Sequence, residues 1–94
     1  PTFAKKYTHI FMFYVYILYA DKFDKFYIGQ TNNIQVRVQR HNSGSEKATM
    51  PFIPWTLKFY IEKQTRKEAM ELEIKLKNLS KDRIHKFIEK YQHK

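Results

Sequence analysis

Two tyrosines near the start of the chain, Tyr16 and Tyr27, are the first candidates for chemistry, because each lies in a short apolar and aromatic segment. If the two segments are paired strands, the phenol groups lie close together. A phenol has a pKa of about 10, so as a general base near neutral pH it needs a nearby cation or metal-bound water. The chain has seven tyrosines, and packing within a hairpin is the alternative role for this pair.

Arg37 and His41 are four residues apart and therefore lie on the same face of the helix predicted around them. Ile34 shares that face, which places both polar side chains at the border of the buried stripe. An arginine beside a histidine can bind a phosphate through two hydrogen bonds and transfer a proton. A solvated basic face, to which Arg40 also contributes, is the alternative.

Glu73 lies at the rim of the apolar stripe of a later predicted helix, whereas Glu71 points outward. That stripe consists of Ala69, Leu72, Leu76 and Leu79. A carboxylate at the edge of a core is costly unless it is paired or binds a cation, which makes Glu73 a candidate metal ligand. A salt bridge to a neighbouring lysine or to Arg37 is the alternative.

Gly29 is one of two glycines in the chain and ends the second predicted strand. Because glycine has no side chain, a phosphate or the backbone of a ligand could approach closely at this position. A conformational requirement of the following turn explains the same glycine equally well. We therefore keep Gly29 as a candidate substrate contact with both explanations open.

The chain is small and strongly basic, with 18 Lys and Arg against 9 Asp and Glu in 94 residues and a formal net charge of +9. Such a balance indicates a polyanionic partner. The absence of cysteine excludes a disulfide scaffold, a thiolate zinc site and a cysteine nucleophile. The apolar run at 10–20 is too short to span a bilayer and lacks a cleavage pattern, so we expect a cytoplasmic protein without a membrane partner.

The hydrophobic pattern predicts an α+β fold, in which helices flank a small three-stranded, mostly antiparallel sheet in the order β-β-α-β-α-α. The predicted strands cover 13–19, 26–30 and 55–61, the last with Trp55, Leu57, Phe59 and Ile61 on one buried face. The predicted helices cover 34–42, a segment from the capping box at 65–68 to about 79, and a segment that starts at 80. We expect one domain at 13–94, preceded by an N-terminal extension at 1–12.

The order and spacing of these residues resemble the GIY-YIG nuclease superfamily. Tyr14-Val15-Tyr16 stands at the first family motif, with Tyr14 in place of glycine, and Tyr27-Ile28-Gly29 matches the second letter for letter. Arg37, His41 and Glu73 fall at the arginine, histidine and glutamate positions of the family. The match covers about 13–79 and looks closest to small stand-alone members related to the nuclease domain of the bacterial excision-repair incision subunit. The asparagine that many active members carry after the glutamate has no clear counterpart.

The resemblance implies a metal-dependent DNA endonuclease of the repair and recombination type, selective for DNA structure rather than sequence. Glu73 would hold one divalent cation, Mg²⁺ or alternatively Mn²⁺, and Arg37 would neutralise charge on the scissile phosphate. Tyr16 would act as the base toward the attacking water, with Tyr27 as its orienting partner and His41 taking up a phenol proton. The products would carry a 3′ hydroxyl and a 5′ phosphate.

Basic residues outside this site would follow the DNA backbone without reading bases, among them Lys47, Lys75 and Lys77. A protein partner could supply specificity that so small a domain lacks. The charge and the missing asparagine also suit an alternative, a nucleic-acid-binding module with impaired catalysis on the same scaffold. A protein-interaction adaptor that uses exposed aromatic residues is a third hypothesis.

Overall fold

Residues 12–92 are described by a computed structural model, and they form three strands and three helices. The strands are Phe13–Ala20 (β1), Lys25–Thr31 (β2) and Thr56–Lys63 (β3), and the helices are Ile34–Ser43 (α1), Arg66–Lys77 (α2) and Lys81–Gln92 (α3). The predicted α+β class and the order β-β-α-β-α-α are confirmed. The predicted extension at 1–12 lies outside the described residues except for Met12. Between residues 12 and 92, no helix has the length and apolar character needed to cross a membrane.

The sheet has the strand order β2-β1-β3, and both strand pairs are antiparallel. The central strand β1 is apolar on both faces because helices cover both sides of the sheet. Val15 and Ile17 pack with the apolar residues of α2 and α3. Tyr16 and Leu18 pack on the opposite side with Trp55. The fully buried residues of the first core are aliphatic, with phenylalanines packed around them, and the second core contains the aromatic residues of the candidate site.

A β-bulge in β3 changes which side chains share a face. Ile17 of β1 pairs with Phe59, whereas the next residue, Leu18, pairs with Leu57, so Lys58 is an extra residue between the two pairs. Phe59 therefore packs in the core formed with α2 and α3, and Leu57 packs on the α1 side. The prediction that Trp55, Leu57, Phe59 and Ile61 share one buried face is wrong, because the bulge interrupts the two-residue alternation.

Capping residues fix the start of the helix that carries two of the candidate residues. The side chain of Asn33 accepts a hydrogen bond from the backbone N–H of Val36 at 3.2 Å, so α1 begins directly after β2. The helix ends at Gly44, whose φ of 85° lies in the left-handed region. Because the connection from β2 is so short, α1 lies against the sheet and brings Arg37 and His41 to the tyrosines.

Candidate active site

Tyr16 extends from β1 across its neighbour β2 at the position of Gly29. These two residues are cross-strand partners, and a Cβ atom built on Gly29 would lie 2.7 Å from the Tyr16 hydroxyl oxygen. A Cβ atom and a hydroxyl oxygen that are not bonded to each other cannot lie so close together. The phenol can therefore cross β2 only because residue 29 has no side chain. The space above Gly29 is thus filled by Tyr16, and substrate contact at Gly29 stays a prediction.

The hydroxyl of Tyr16 is the first member of a buried hydrogen-bonded chain. Its oxygen lies 2.9 Å from Nε2 of His41, and Nδ1 of His41 lies 2.9 Å from Oγ1 of Thr49. Tyr16, His41 and Thr49 are each 1% exposed. The Thr49 hydroxyl donates in turn to the carbonyl oxygen of Glu46 at 3.4 Å. We call Tyr16, His41 and Thr49 the buried relay.

Thr49 is the member of the buried relay that sequence reasoning missed. It lies in the loop between α1 and β3, where no hydrophobic periodicity marks a buried position. Ser45 also has a hydroxyl and lies in the same loop, and residue type alone does not mark Thr49 as the one that contacts His41. Only the three-dimensional path of the loop reveals the contact with His41.

Tyr27 stands beside the buried relay rather than in it. Its half-buried ring lies 4.7 Å from the His41 ring and 6.3 Å from the Tyr16 ring, measured between centroids. Trp55 packs edge-on against the same ring at 6.3 Å. The predicted proximity of the two tyrosines is therefore present, and Tyr16 is the one whose hydroxyl bonds to an imidazole. This geometry suits Tyr16 for proton transfer and Tyr27 for orientation.

Burial controls the protonation of Tyr16. Removal from water raises the pKa of the phenol above its ordinary value, and the nearby Tyr27 and Glu73 raise this pKa further. Arg37 opposes them, because its positive charge and its approach to the phenol as a hydrogen-bond donor lower the pKa. At neutral pH the Tyr16 side chain is therefore an uncharged phenol that carries its proton.

Burial also keeps the His41 imidazole neutral. Desolvation lowers its pKa below the ordinary value, and the positive charges of Arg37 and Arg40 act in the same direction. Glu46 acts against them. A neutral imidazole has one nitrogen free to accept a proton. His41 can therefore accept a hydrogen bond from Tyr16, although the same burial disfavours the charged imidazolium that proton transfer would form.

Arg37 connects the buried relay to a polar cavity at the surface. It is half-buried and lies one helical turn before His41, as its spacing predicts. The cavity has a volume of about 220 Å³, and Arg37 lines it together with Arg66, Gln30 and Asn32. Sequence reasoning did not single out Arg66, whose guanidinium lies 5.5 Å from the Phe13 ring. Two guanidinium groups beside one cavity are suited to binding an anion such as phosphate.

Glu73 lies at the edge of the sheet with both carboxylate oxygens occupied. Oε1 accepts a hydrogen bond from the Gln30 amide at 2.8 Å, and Oε2 lies 2.7 Å from the Lys77 ammonium group. The side chain of Glu73 is 15% exposed. The salt-bridge alternative is thus realised with Lys77 rather than Arg37. We call Gln30, Glu73 and Lys77 the carboxylate edge.

The carboxylate edge offers a single acidic ligand to a metal ion. No group of three or more His, Cys, Asp or Glu side chains that could hold a metal occurs within residues 12–92. Mg²⁺ nevertheless suits such a site, because it retains several water ligands and commonly binds through one or two carboxylates plus substrate phosphate oxygens. Glu73 therefore fits as the protein ligand, provided that the ammonium group of Lys77 leaves its oxygen.

The remaining predicted contacts lie outside these two groups. Lys47 is exposed in the loop after α1, and Lys75 is exposed on α2.

His85, in the region where the family asparagine is expected, packs against the Phe26 ring at 4.8 Å and lies 4.0 Å from Asp24. That contact is at the start of β2, whereas Glu73 bonds to Gln30 near its end. The amide beside Glu73 is therefore that of Gln30.

Comparisons with known proteins identify the family of this chain. The family model described as the GIY-YIG catalytic domain matches residues 12–91. The chain is 35% identical over 77 residues to a UPF0213 protein of Bacillus licheniformis, covering 81% of this chain and 78% of that protein. It is 32% identical over 66 residues to a UPF0213 protein of Bacillus cereus, covering 69% of each.

A solved structure is similar as well. The solution NMR structure of a UPF0213 protein from Bacillus halodurans superposes with a TM-score of 0.57 at 30% sequence identity, covering 85% of each chain. None of the names of these relatives states an activity. These similarities concern the family and the fold of the chain.

Proposed function

Because the chain belongs to the GIY-YIG catalytic domain family, a family of nucleases, we propose that it is a divalent-metal-dependent endonuclease that hydrolyses phosphodiester bonds in DNA. The observation that carries this proposal is the 2.9 Å contact between the Tyr16 hydroxyl and the buried imidazole of His41. Arg37 lies close enough to the same phenol to lower its pKa. A base and a phosphate-binding group thus converge on one point.

Proton transfer through the buried relay is the first part of the mechanism. Tyr16 gives its proton to Nε2 of His41 while its oxygen takes a proton from the attacking water. The water oxygen then bonds to phosphorus and the bond from phosphorus to the 3′ oxygen breaks. The leaving oxygen takes a proton from solvent, which leaves a 3′ hydroxyl and a 5′ phosphate. Because phenol and imidazole both start neutral, the transfer does not require a stable phenolate.

Arg37 serves the phosphate side of the reaction. Its planar guanidinium can donate two hydrogen bonds to phosphate oxygens, and it neutralises the charge that develops during attack. Arg66 lines the same cavity and adds a second guanidinium. Tyr27, packed on the His41 ring, orients the attacking water. We therefore assign Tyr16, Tyr27, Arg37 and His41 to one catalytic group.

Glu73 is the residue that would hold the divalent cation, Mg²⁺ or Mn²⁺. The bound cation would supply Lewis-acid stabilisation of charge on the phosphate and on the leaving oxygen. Within this chain, Gln30 holds one oxygen of Glu73 and thereby orients the carboxylate. Lys77 must release the other oxygen, and is then free to contact the DNA backbone.

The charge of the chain supports DNA binding that does not depend on base sequence. The net charge of +9 and exposed lysines such as Lys47 and Lys75 provide contacts to phosphates. Such contacts position a duplex without reading its bases. Branched or flapped DNA, as found in repair and recombination, is the proposed substrate, and a protein partner would narrow the choice further.

A cleavage assay with matched glutamate variants tests the proposal. Labelled linear duplex, single strand, flap and four-way junction are incubated with protein in Mg²⁺ or EDTA. Wild type should cleave branched DNA with Mg²⁺ and should not cleave it with EDTA. The control Glu71→Gln, which changes an exposed glutamate on the same helix, should behave in the same way. Glu73→Gln should lose about two orders of magnitude or more in rate. Cleavage of no substrate by wild type, or undiminished cleavage by Glu73→Gln, would contradict the proposal.

A DNA-binding module without turnover is the second candidate, and the occupied carboxylate of Glu73 favours it. This candidate predicts binding whose affinity falls steeply with salt, together with no cleavage under any metal condition. Arg37→Ala would then weaken binding and change no other activity. Metal-dependent cleavage by the wild-type protein decides against it.

A further inference from the structure

His41 is hydrogen-bonded on both sides to groups that can either donate or accept. A neutral imidazole carries one hydrogen, so one ring nitrogen donates and the other accepts. The hydroxyl groups of Tyr16 and Thr49 suit either direction. Two arrangements of the buried relay are therefore conceivable, and they differ in which nitrogen of His41 is free to take a proton.

The first arrangement gives every hydrogen an acceptor. Tyr16 donates to Nε2 of His41, Nδ1–H of His41 donates to the Thr49 hydroxyl, and that hydroxyl donates to the Glu46 carbonyl. Arg37, whose guanidinium has only donors, approaches the phenol oxygen and uses one of its lone pairs. All hydrogens in this arrangement lie in hydrogen bonds.

The second arrangement leaves one hydrogen without an acceptor. If Nε2–H of His41 donated to the phenol oxygen, the phenol hydrogen of Tyr16 would need a different acceptor. The hydrogen-bond partners of this oxygen are His41 and the donor Arg37, whereas Tyr27 and Glu73 act on the phenol only through longer-range electrostatics. A buried hydroxyl hydrogen without a partner is disfavoured, because no hydrogen bond compensates for its removal from water. The contacts around His41 therefore select the first arrangement.

The loop between α1 and β3 holds Thr49 rigidly against His41. At the end of α1, the Asn42 side chain accepts from the backbone N–H of Trp55 at 2.7 Å and donates to its carbonyl at 2.9 Å. The Trp55 indole N–H donates to the backbone carbonyl of Thr49 at 2.8 Å. The backbone N–H of Thr49 donates to the carbonyl of Glu46 at 3.2 Å. Both ends of the loop are thus fixed, with the Thr49 hydroxyl directed at Nδ1.

We infer that Thr49 is a positioning residue that holds His41 in the tautomer with its hydrogen on Nδ1, leaving Nε2 to accept the proton of Tyr16. Thr49 can keep this role after proton transfer, because the imidazolium still donates from Nδ1. The tautomer itself follows from the hydrogen bonds alone. Its consequence for DNA cleavage rests on the proposed function, so the two are tested by separate measurements.

The tautomer is measured by NMR of protein with ¹⁵N-labelled histidine at a pH above 7, without DNA. Correlations between ring nitrogens and carbon-bound ring protons show which nitrogen carries the hydrogen, and loss of one set in His41→Leu assigns His41. Wild type and Thr49→Ser should have the hydrogen on Nδ1. In Thr49→Val, which removes only the hydroxyl function, Nδ1–H loses its acceptor while Tyr16 still donates to Nε2, so we expect the single Nδ1–H form to give way to a tautomer mixture. An Nε2–H form in wild type, or a population of Nδ1–H in Thr49→Val equal to that of wild type, would overturn the inference.

The integrity of the loop in Thr49→Val has an internal reporter. The Trp55 indole donates to the backbone carbonyl of residue 49, which the substitution leaves in place. An indole N–H signal at its wild-type position shows that the loop is intact. Thr56→Val, at an exposed position at the start of β3, is the matched control for the loss of a threonine hydroxyl.

Cleavage kinetics measure the consequence of the tautomer. Thr49→Val should lower kcat by about ten- to a hundredfold, a part of the roughly 10²–10⁴-fold that general base catalysis contributes. KM should not change, because Thr49 does not touch DNA. Thr49→Ser should restore kcat, and Thr56→Val should match wild type. A Thr49→Val kcat equal to wild type would overturn the positioning role. A wild-type protein that cleaves no DNA would remove the proposed function, while the NMR result would still decide the tautomer.

Discussion

The two halves of the candidate site differ in how they are held. Each residue of the buried relay, Tyr16, His41 and Thr49, is 1% exposed. Hydrogen bonds between their side chains link the three residues. The Glu73 carboxylate at the carboxylate edge is held by the Gln30 amide and by the half-exposed ammonium group of Lys77, and a metal ion could replace the ammonium group. The half that moves protons is therefore built into the core, whereas the half that would bind metal is exchangeable. Substitutions in the two halves should have different consequences.

The largest effect is expected for His41→Leu, which should reduce both activity and stability. Leucine fills most of the imidazole volume but leaves the phenol hydrogen of Tyr16 without its acceptor, at a cost of about 1–3 kcal/mol, and leaves the Thr49 hydroxyl with only its hydrogen bond to the Glu46 carbonyl. Glu73→Gln should abolish cleavage equally, yet change the free energy of unfolding by less than about 1 kcal/mol, since Lys77 is half-exposed and the glutamine oxygen can still accept the hydrogen bond from Gln30. Urea unfolding and a cleavage assay measure both quantities.

The comparison fails if the two variants behave alike. A Glu73→Gln protein as unstable as His41→Leu would show that the carboxylate edge is part of the core. A His41→Leu protein with wild-type stability would show that the buried relay contributes no net stabilisation. Either result would contradict the distinction between the built-in and exchangeable halves.

Alanine at the two glycines separates a requirement of the site from a requirement of the backbone. Gly29→Ala places a Cβ atom 2.7 Å from the Tyr16 hydroxyl and should displace the phenol, at a cost of about 1–3 kcal/mol and with loss of cleavage. Gly44→Ala should cost about 1–2 kcal/mol, because its φ of 85° strains an alanine. Its new Cβ would approach Met50 no closer than 3.7 Å, so cleavage should persist.

Stability and cleavage measured on both glycine variants decide the matter. Equal loss of cleavage in the two proteins would show that general destabilisation, rather than displacement of Tyr16, explains the effect of Gly29→Ala.

The pH dependence of stability should report on the buried relay. Burial holds the pKa of His41 below its usual value of 6.5, so below that pH the unfolded chain binds a proton that the folded protein does not. The contribution of His41 to the free energy of unfolding is therefore fully present above about pH 6.5 and is lost as the pH falls toward the pKa of His41 in the folded protein. Hydrogen bonds from Tyr19 and Lys81 lower the pKa of Asp24. Asp24 therefore changes the free energy of unfolding mainly at pH values below its usual pKa of 3.8.

Urea unfolding of wild type and His41→Leu between pH 7.5 and pH 4.5 isolates the histidine contribution. Wild type should lose stability over this range more steeply than His41→Leu. Parallel pH curves for the two proteins would show that His41 has no lowered pKa.

The smallest effect is expected at the carboxylate edge, where Lys77 competes with a metal ion for Glu73. Lys77→Ala frees the carboxylate and should tighten Mn²⁺ binding by a few fold, as expected if the pair with the half-exposed Lys77 contributes about 0.2–1 kcal/mol. Lys75→Ala removes the same charge from an exposed position on the same helix and is the matched control. Calorimetric titration without DNA measures both, and equal affinities in the two variants would exclude competition.

The parts of the fold that repeat regularly could be predicted from the sequence. The strand and helix order and the family positions of Tyr16, Arg37 and His41 follow from periodicity and motif spacing. The opposite faces of Leu57 and Phe59 could not be predicted, because one bulged residue changes the register without a sequence signal.

The contacts made by loop residues could not be predicted from the sequence either. Thr49 reaches His41 only because Asn42 and Trp55 close the loop that carries it. The role of Gly29 likewise depends on the direction of the Tyr16 side chain, which strand alternation limits to one face but does not place over a particular residue.

Single-turnover cleavage by Tyr16→Phe tests the central claim most directly, because this variant removes only the oxygen through which the proton passes. The cleavage rate should fall by about 10²–10⁴-fold while DNA affinity stays at the wild-type value. Tyr27→Phe, the matched variant of the orienting tyrosine, should lose less. A Tyr16→Phe protein that cleaves at the wild-type rate would contradict the assignment of Tyr16 as the base.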